Sequence, residues 1–181
     1  MSKLILIAGP SGAGKTTIST YLMEKFHIPR VLTHTTRPMR PGERANESYY
    51  FESKTSFARL HFFEHIHYGN YQYGSSREAL NRVWEQHDLV SLIVDIQGAR
   101  SYLQQLPDQI CFIYVTVSAR STLEQRLRDR GDDPAKIANR LSGAELNELP
   151  ADLMPSATVI RNDNWEKTKK QLDQIVADLQ G

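Results

Sequence analysis

The segment that most constrains this chain is Gly9-Pro10-Ser11-Gly12-Ala13-Gly14-Lys15-Thr16, which matches the pattern G-x-x-x-x-G-K-[S/T] at every fixed position. An apolar, strand-like run precedes it at Leu4–Ala8, and apolar residues follow with helical spacing over Lys15–Phe26. Glycines let the backbone wrap so that successive N–H groups point at phosphate oxygens, and the helix N-terminus adds the positive end of its dipole. We therefore predict a phosphate-binding loop (P-loop). Lys15 should reach the β- and γ-phosphates of a nucleotide, and the Thr16 hydroxyl should bind Mg²⁺.

The rest of the chain alternates short apolar runs with amphipathic stretches, which predicts an α/β fold with a parallel sheet flanked by helices. Leu89–Ile96 and Ile110–Val117 are near-continuous apolar runs, as central parallel strands require. The polar segment Gly131–Pro150 predicts a mobile helical lid. Shorter strands are predicted at Val31–Thr33, Tyr49–Phe51, Phe62–Tyr73 and Thr158–Arg161, and helices at Ser76–Gln86, Gly98–Leu106, Arg120–Arg130, Pro134–Leu149 and Trp165–Leu179.

Composition narrows the class of protein. With 181 residues, 40% of them hydrophobic and 24% charged, the chain has the size and balance of one globular domain. Lys and Arg number 22 against 21 Asp and Glu, so we expect no general affinity for nucleic-acid polymers or anionic membranes. The single cysteine, Cys111, excludes an internal disulfide. We see no signal peptide and no run of the roughly 20 apolar residues that span a membrane, and we predict a cytoplasmic protein.

A polar loop after the first helix carries Arg37 and Arg40, three residues apart and flanked by prolines. The planar guanidinium of arginine suits bidentate contact with phosphate oxygens, so this loop could hold a second phosphate, on an acceptor. Tyr49 and Tyr73 could add phenol donors. On these residues alone, a solvated loop with surface arginines is an equal alternative.

The order of the motifs resembles that of the guanylate kinase family, from about residue 3 to about residue 179. Thr35–Glu43 matches the family pattern T-T-R-x-x-R-x-G-E, and Ser48–Phe51 nearly matches D-Y-x-F. Gly69–Ser75 matches G-N-Y-Y-G-[TS] except for the added Gln72, and Arg161-Asn162-Asp163 resembles V-N-D. The resemblance implies one domain over 1–181. Its parts would be a P-loop core (about 1–32, 75–125 and 156–181), a GMP-binding subdomain (33–74) and a lid (126–150).

The resemblance also implies an activity, the transfer of the γ-phosphoryl group of ATP onto GMP with Mg²⁺, and roles for single residues. The implied catalytic residues are Lys15, Arg37, Arg126, Arg130 and Arg140. The implied ATP-binding residues are Gly9, Pro10, Ser11, Gly12, Ala13, Gly14, Lys15, Thr16, Thr17 and Asn162, with Asn162 near the adenine and Thr16 on the metal. The implied GMP-binding residues are Thr33, Arg37, Arg40, Tyr49, Glu64, Tyr73, Ser75 and Asp95.

Two carboxylates suit guanine because its Watson–Crick edge offers N1–H and N2–H₂ donors, whereas adenine has an acceptor at N1. Each implied role has a structural alternative. Glu64 could be an exposed strand residue, Asp95 and Ser75 could be helix N-caps, and Tyr49 and Tyr73 could be core aromatics. Arg126 and Arg130 could form a charged helix face with a local partner in Asp129.

The chain departs from the family at several positions. Ile93 replaces the first aspartate of D-x-D, a position that often helps to organise Mg²⁺ in P-loop enzymes. The histidines His61, His65 and His67 have metal-like spacing without a complete ligand set, and we interpret them as surface or cleft residues. Two other functions stay open. One is a kinase of the same branch acting on a sugar phosphate such as ribose bisphosphate, and the other is a non-catalytic binding module.

Overall fold

A parallel sheet forms the centre of the protein. A computed structural model describes residues 2–142 and 149–181, without the side chains at 136, 139, 140 and 142. In these residues β6 (Leu89–Ile93), β1 (Lys3–Ala8), β7 (Ile110–Thr116) and β8 (Ala157–Arg161) lie in that order, and all three pairings are parallel. The carboxyl ends of the strands therefore share one edge, where the loops that follow them meet.

Helices cover both faces of this sheet, which confirms the predicted α/β class. Successive residues of β1 alternate between two apolar clusters, with Leu4 and Leu6 in one and Ile5 and Ile7 in the other. None of the helices in the described ranges combines the length and apolarity needed to cross a membrane. The helices include α1 (Lys15–Phe26), α3 (Arg77–Trp84), α4 (Ile96–Gln105), α5 (Arg120–Asp129) and α7 (Trp165–Gln180).

A second sheet occupies the segment predicted as the GMP-binding subdomain and extends two residues beyond it, to Ser76. Its strands are β2 (His34–Thr35), β3 (Tyr50–Phe51), β4 (Phe62–Tyr68) and β5 (Tyr71–Ser76), in the order β3-β2-β5-β4, with the short helix α2 (Lys54–Phe57) after β3. The strand predicted over Phe62–Tyr73 is thus two antiparallel strands. The chain turns at Gly69, whose φ of 59° lies in the left-handed region that glycine tolerates.

Several other strands and helices begin or end at residues other than those predicted. The strand predicted at Val31–Thr33 starts only at His34, because Val31 donates its N–H to Ser91 beside the main sheet. The run Leu89–Ile96 ends as a strand at Ile93, because Asp95 caps a helix that begins at Ile96. In the predicted lid, α6 spans Pro134–Ser142, and residues 143–148 of the helix predicted over Pro134–Leu149 lie outside the described residues.

Candidate active site

The P-loop joins β1 to α1 in a conformation that only glycine accommodates easily. Gly9, Gly12 and Gly14 have φ values of 141°, 84° and 104°. A Cβ on Gly9 would lie 2.1 Å from the carbonyl oxygen of Val115, and one on Gly14 would lie 2.3 Å from Nδ2 of Asn162. The glycines therefore permit both the turn itself and the close approach of β7 and of the loop after β8.

The ammonium of Lys15 lies over the P-loop. Its Nζ donates to the carbonyl oxygens of Gly9 at 2.6 Å and Pro10 at 2.9 Å. These contacts hold a cation at the mouth of the loop, in the first turn of α1, where the helix dipole also favours anions. The geometry suits a lysine that meets the phosphates of a nucleotide.

Asn162 and Arg126 brace the P-loop from the opposite side. The buried Asn162 donates from Nδ2 to the carbonyl of Ala13 at 2.8 Å and accepts from Thr168 Oγ1 at 2.9 Å. Arg126 Nη2 donates to the Asn162 carbonyl at 2.8 Å, and its Nη1 lies 3.4 Å from the carbonyl of Gly12. The Asn162 side chain thus links the P-loop to α7, a role that the sequence pattern did not indicate. Its predicted contact with adenine stays a prediction.

A cleft of about 870 Å³ opens beside the P-loop. Arg130 reaches it from the end of α5 and forms a two-point ion pair with Asp132, at 2.8 and 2.5 Å. Asp129 instead accepts from Gln125, so the local Arg130–Asp129 pair considered from the sequence is not formed. Arg140 lies on α6, and its side chain lies outside the description. The cleft is lined by Ser11, Gly12, Gly14, Lys15, Thr16, Thr17, Arg126, Leu127, Arg130, Asn162, Asp163 and Trp165.

The protein itself offers few side-chain ligands for Mg²⁺ at this cleft. Thr16 is exposed in the first turn of α1, within the cleft, while Ile93 at the end of β6 has no side-chain oxygen. Within the described residues, no group of three or more His, Cys, Asp and Glu side chains clusters as a metal site. One hydroxyl fits Mg²⁺, because this ion keeps several waters and takes most remaining ligands from nucleotide phosphates.

A second cavity, of about 220 Å³, lies between β6 and the second sheet; we call it the acceptor cavity. Five of the eight residues predicted to bind GMP line it, although they are spread over more than 60 positions of the sequence. Ile93 is also in its wall. The lining residues are Thr33, Tyr49, Glu64, Ile66, Tyr73, Gly74, Ile93, Val94 and Asp95.

Two carboxylates face this cavity in different environments. Glu64 is half-buried, so it is not the exposed strand residue considered above, and burial with a smaller contribution from the Asp95 charge raises the pKa of its carboxyl. Asp95 is exposed and accepts the N–H of Gly98 at 2.7 Å as the N-cap of α4. Asp95 therefore both caps α4 and lines the acceptor cavity.

Ser75 lies behind Glu64 rather than on the cavity surface. It is fully buried, and its hydroxyl donates to Glu64 Oε1 at 3.2 Å. The N-cap of α3 is not Ser75 but Ser76, which accepts from the N–H of Ala79 at 3.0 Å. The N-cap alternative for Ser75 was therefore wrong by one residue, because adjacent strand residues point to opposite faces.

The two arginines of the loop differ in environment. Arg37 is buried and donates to both oxygens of Glu43, at 2.6 and 2.5 Å, while Arg40 is exposed. This pair, helped by the Arg40 backbone N–H, holds the pKa of Glu43 at about 2. The Tyr49 ring lies 5.2 Å from the Arg37 guanidinium. Arg37 is therefore a fixed cation and not a solvated surface residue. Glu43 was missed as a functional residue, although the quoted motif contains it.

A buried hydrogen-bonded chain supports the second sheet. His34 lies between Glu52, 2.9 Å from Nδ1, and Ser76, 2.9 Å from Nε2. Burial lowers the pKa of His34. Because the neutral ring donates from one nitrogen and accepts at the other, the arrangement favours Nδ1–H donating to Glu52 and the Ser76 hydroxyl donating to Nε2. The chain ties β2 to the start of α3, next to Thr33 and Ser75.

We expect Ser76→Ala to lower the free energy of unfolding by about 2 kcal/mol, because it removes a helix N-cap and leaves the buried His34 without one partner. Urea unfolding followed by circular dichroism measures the change. The matched control is Ser53→Ala, which removes the exposed N-cap of the four-residue helix α2 and should cost under about 1 kcal/mol. Equal losses in the two variants would contradict a supporting role for the buried chain.

The three histidines with metal-like spacing have other neighbours. His61 lies 2.6 Å from Glu78, and the rings of His65 and His67 are 5.8 Å apart on the exposed part of β4. These contacts place them on the surface of the second sheet.

The fold and the site define a class of protein. A P-loop cleft at the carboxyl edge of a parallel sheet, beside a separate cavity carried by a small second sheet, is the arrangement of a nucleoside-monophosphate kinase. The family described as guanylate kinase matches residues 1–179. This chain belongs to the guanylate kinase family.

Individual relatives agree with this assignment. Curated guanylate kinases of Chromohalobacter salexigens and Alcanivorax borkumensis are 37% and 34% identical to this chain; each match covers 96% of it and 82% and 85% of those proteins. Among solved structures, guanylate kinase from Anaplasma phagocytophilum superposes with a TM-score of 0.62 at 24% identity, over 99% of this chain and 85% of that one. YorR from Bacillus subtilis, solved with phosphorylated GDP, gives 0.53 at 14%, over 98% and 96% of the two chains. Both solved structures share the fold of this chain.

Proposed function

We propose that this protein phosphorylates GMP to GDP with ATP as the donor. The observation that carries the proposal is the acceptor cavity. Its two carboxylates, Glu64 and Asp95, offer acceptors for the N1–H and N2–H₂ groups of guanine, and the phenols of Tyr49 and Tyr73 lie on the same cavity. ATP would occupy the P-loop cleft. The earlier expectations of a cytoplasmic location and of no nucleic-acid or membrane partner stay predictions.

The chain's own groups would act by holding charge and position, which is most of what phosphoryl transfer requires of a protein. Lys15 and the cleft arginines Arg126 and Arg130 would neutralise charge on the transferring group. The Arg37 guanidinium, fixed by Glu43, would hold the acceptor phosphate, with Arg40 beside it. Mg²⁺, bound with ATP at Thr16, would supply further neutralisation of phosphate charge. Arg140 would join from the lid.

Two competing functions make different predictions. A sugar-phosphate acceptor would have no guanine edge to satisfy Glu64 and Asp95. A non-catalytic binding module would have no need of the intact P-loop, whose glycines and lysine keep phosphate-binding geometry.

The deciding experiment measures ADP release with ATP and Mg²⁺ while GMP, dGMP, AMP, CMP, UMP and ribose bisphosphate are offered in parallel. We expect turnover with GMP and dGMP only. Turnover confined to ribose bisphosphate would replace the proposal by a sugar-phosphate kinase. No turnover with any acceptor would favour the binding module.

We expect kcat/KM for GMP to fall as pH decreases, with an acid limb above the ordinary glutamate pKa of about 4.3. The rate should fall toward acid pH because burial raises the pKa of Glu64, and a protonated Glu64 loses an acceptor for the guanine donors. Because bound guanine would favour the ionised form, the limb in kcat should lie at lower pH. Initial rates from pH 4.5 upward test this. An unchanged limb in Glu64→Gln would assign it to another group.

A further inference from the structure

The hydroxyl of Tyr102 is an unexplained polar group beside the acceptor cavity. Tyr102 lies on α4, is fully buried and stacks on Phe63 with ring centroids 4.3 Å apart. Across the described residues, its oxygen is the buried side-chain polar atom that has no hydrogen-bond partner. Native proteins seldom leave a buried hydroxyl unsatisfied, so such a group calls for an explanation.

The surroundings of Tyr102 point toward Glu64. Tyr102 and Gly98 lie one helical turn apart on α4, and a Cβ on Gly98 would lie 3.2 Å from the carboxyl carbon of Glu64. The same face of α4 therefore makes room for the Glu64 carboxyl. Burial raises the pKa of the Tyr102 phenol and keeps it protonated, while the Ser75 hydroxyl has a smaller, opposite effect on that pKa and the Glu64 charge raises it further.

The Ser75 hydroxyl donates to Glu64 and can still accept a hydrogen bond from another donor. At 3.2 Å, the hydrogen bond from Ser75 to Glu64 is longer than the 2.7–2.8 Å usual for O–H···O. A hydroxyl that donates its one proton still has lone pairs that accept. Ser75 and Tyr102 are both fully buried, and Ser75 is among the groups that act on the Tyr102 phenol, so the unpartnered Tyr102 O–H is a donor for that lone pair.

We propose that Tyr102 is a positioning residue for the reading of guanine: its O–H donates to the Ser75 hydroxyl when the acceptor site is occupied, and Ser75 in turn donates to Glu64. This inference rests on the proposed function. Donation from Tyr102 polarises the Ser75 hydroxyl and strengthens its bond to Glu64, since linked hydrogen bonds reinforce one another. Glu64 is then held in one orientation and in its ionised form, as the guanine donors require.

The test is Tyr102→Phe, which removes only the hydroxyl and keeps the ring against Phe63. We expect KM for GMP to rise about 3–10-fold with kcat and KM for ATP little changed. The acid limb of kcat with GMP, which reports the occupied site, should move to higher pH, because the weakened bond from Ser75 no longer holds the pKa of Glu64 down there. Tyr114→Phe, at a buried tyrosine of β7 outside the acceptor cavity, is the matched control and should leave all these values unchanged.

A double-mutant cycle with Ser75→Ala distinguishes the relay from a packing effect. If Tyr102 acts through Ser75, Tyr102→Phe should have no further effect on KM for GMP or on the acid limb in the Ser75→Ala background. Full additivity would overturn the inference, as would unchanged GMP kinetics in Tyr102→Phe or an equal rise of KM for ATP. The midpoint of thermal unfolding should not fall, since an unsatisfied buried hydroxyl is removed. Failure of the unmutated protein to use GMP would instead defeat the proposed function.

Discussion

Lys15→Ala should lower kcat by about 10²–10³-fold, the usual effect of removing one preorganised group that stabilises transition-state charge. The ammonium lies over the P-loop carbonyls of Gly9 and Pro10, where a nucleotide's phosphates would bring the charge. The fold should survive, because the glycines, Asn162 and Arg126 shape the loop independently of the lysine. Steady-state ADP release at saturating ATP and GMP measures the loss.

Lys25→Ala is the matched control for Lys15→Ala. Lys25 lies on the same helix but at its far end, where it is exposed and pairs with Asp173 at 2.8 Å. Turnover should match that of the unmutated protein. If Lys15→Ala kept more than about a tenth of the activity, the charge-stabilising role assigned to Lys15 would be wrong.

Glu64→Gln should lower kcat/KM for GMP by about 10²-fold, while KM for ATP stays unchanged. The amide keeps one acceptor but turns a second into an NH₂ donor, which opposes the N1–H or N2–H₂ of guanine in a half-buried site; two impaired hydrogen bonds account for a change of this size. AMP should gain relative to GMP, because adenine presents an acceptor at N1. Parallel kinetics with both monophosphates measure the shift.

The control for Glu64→Gln is Glu85→Gln, the same change at an exposed residue beyond the end of α3. It should leave kcat/KM for both monophosphates unchanged. An unaltered preference for GMP over AMP in Glu64→Gln would show that other groups select the base.

The sequence by itself determined the P-loop, because all of its parts are local. Eight consecutive residues encode the turn, the lysine and the helix start, and the structure gives Gly9, Gly12 and Gly14 the positive φ values that such a turn needs. The alternation of strands and helices likewise determined the α/β class, because near-continuous apolar runs are typical of parallel strands that are buried on both faces. Boundaries moved where a neighbouring group intervened, as when Asp95 capped α4 inside an apolar run.

The acceptor cavity was decided by tertiary structure. Its residues come from five separated segments, and only the resemblance to a family related them before the fold did. Register also lay beyond the sequence pattern: Ser75 and Ser76 are alike in type, yet one faces Glu64 and the other caps α3, because neighbouring strand residues point to opposite faces.

The partners of single polar groups were the least predictable part. Arg37 looked equally suited to solvent and to phosphate, and its burial against Glu43 depends on how the loop closes over Tyr49 and Phe51. Tyr102 lies in the helix predicted over Gly98–Leu106, and nothing in that pattern indicates that its buried hydroxyl lacks a hydrogen-bond partner among the described residues. A sequence pattern records which face of a helix is apolar. Hydrogen bonds depend on distances of a few tenths of an ångström, which only the packing of the whole chain defines.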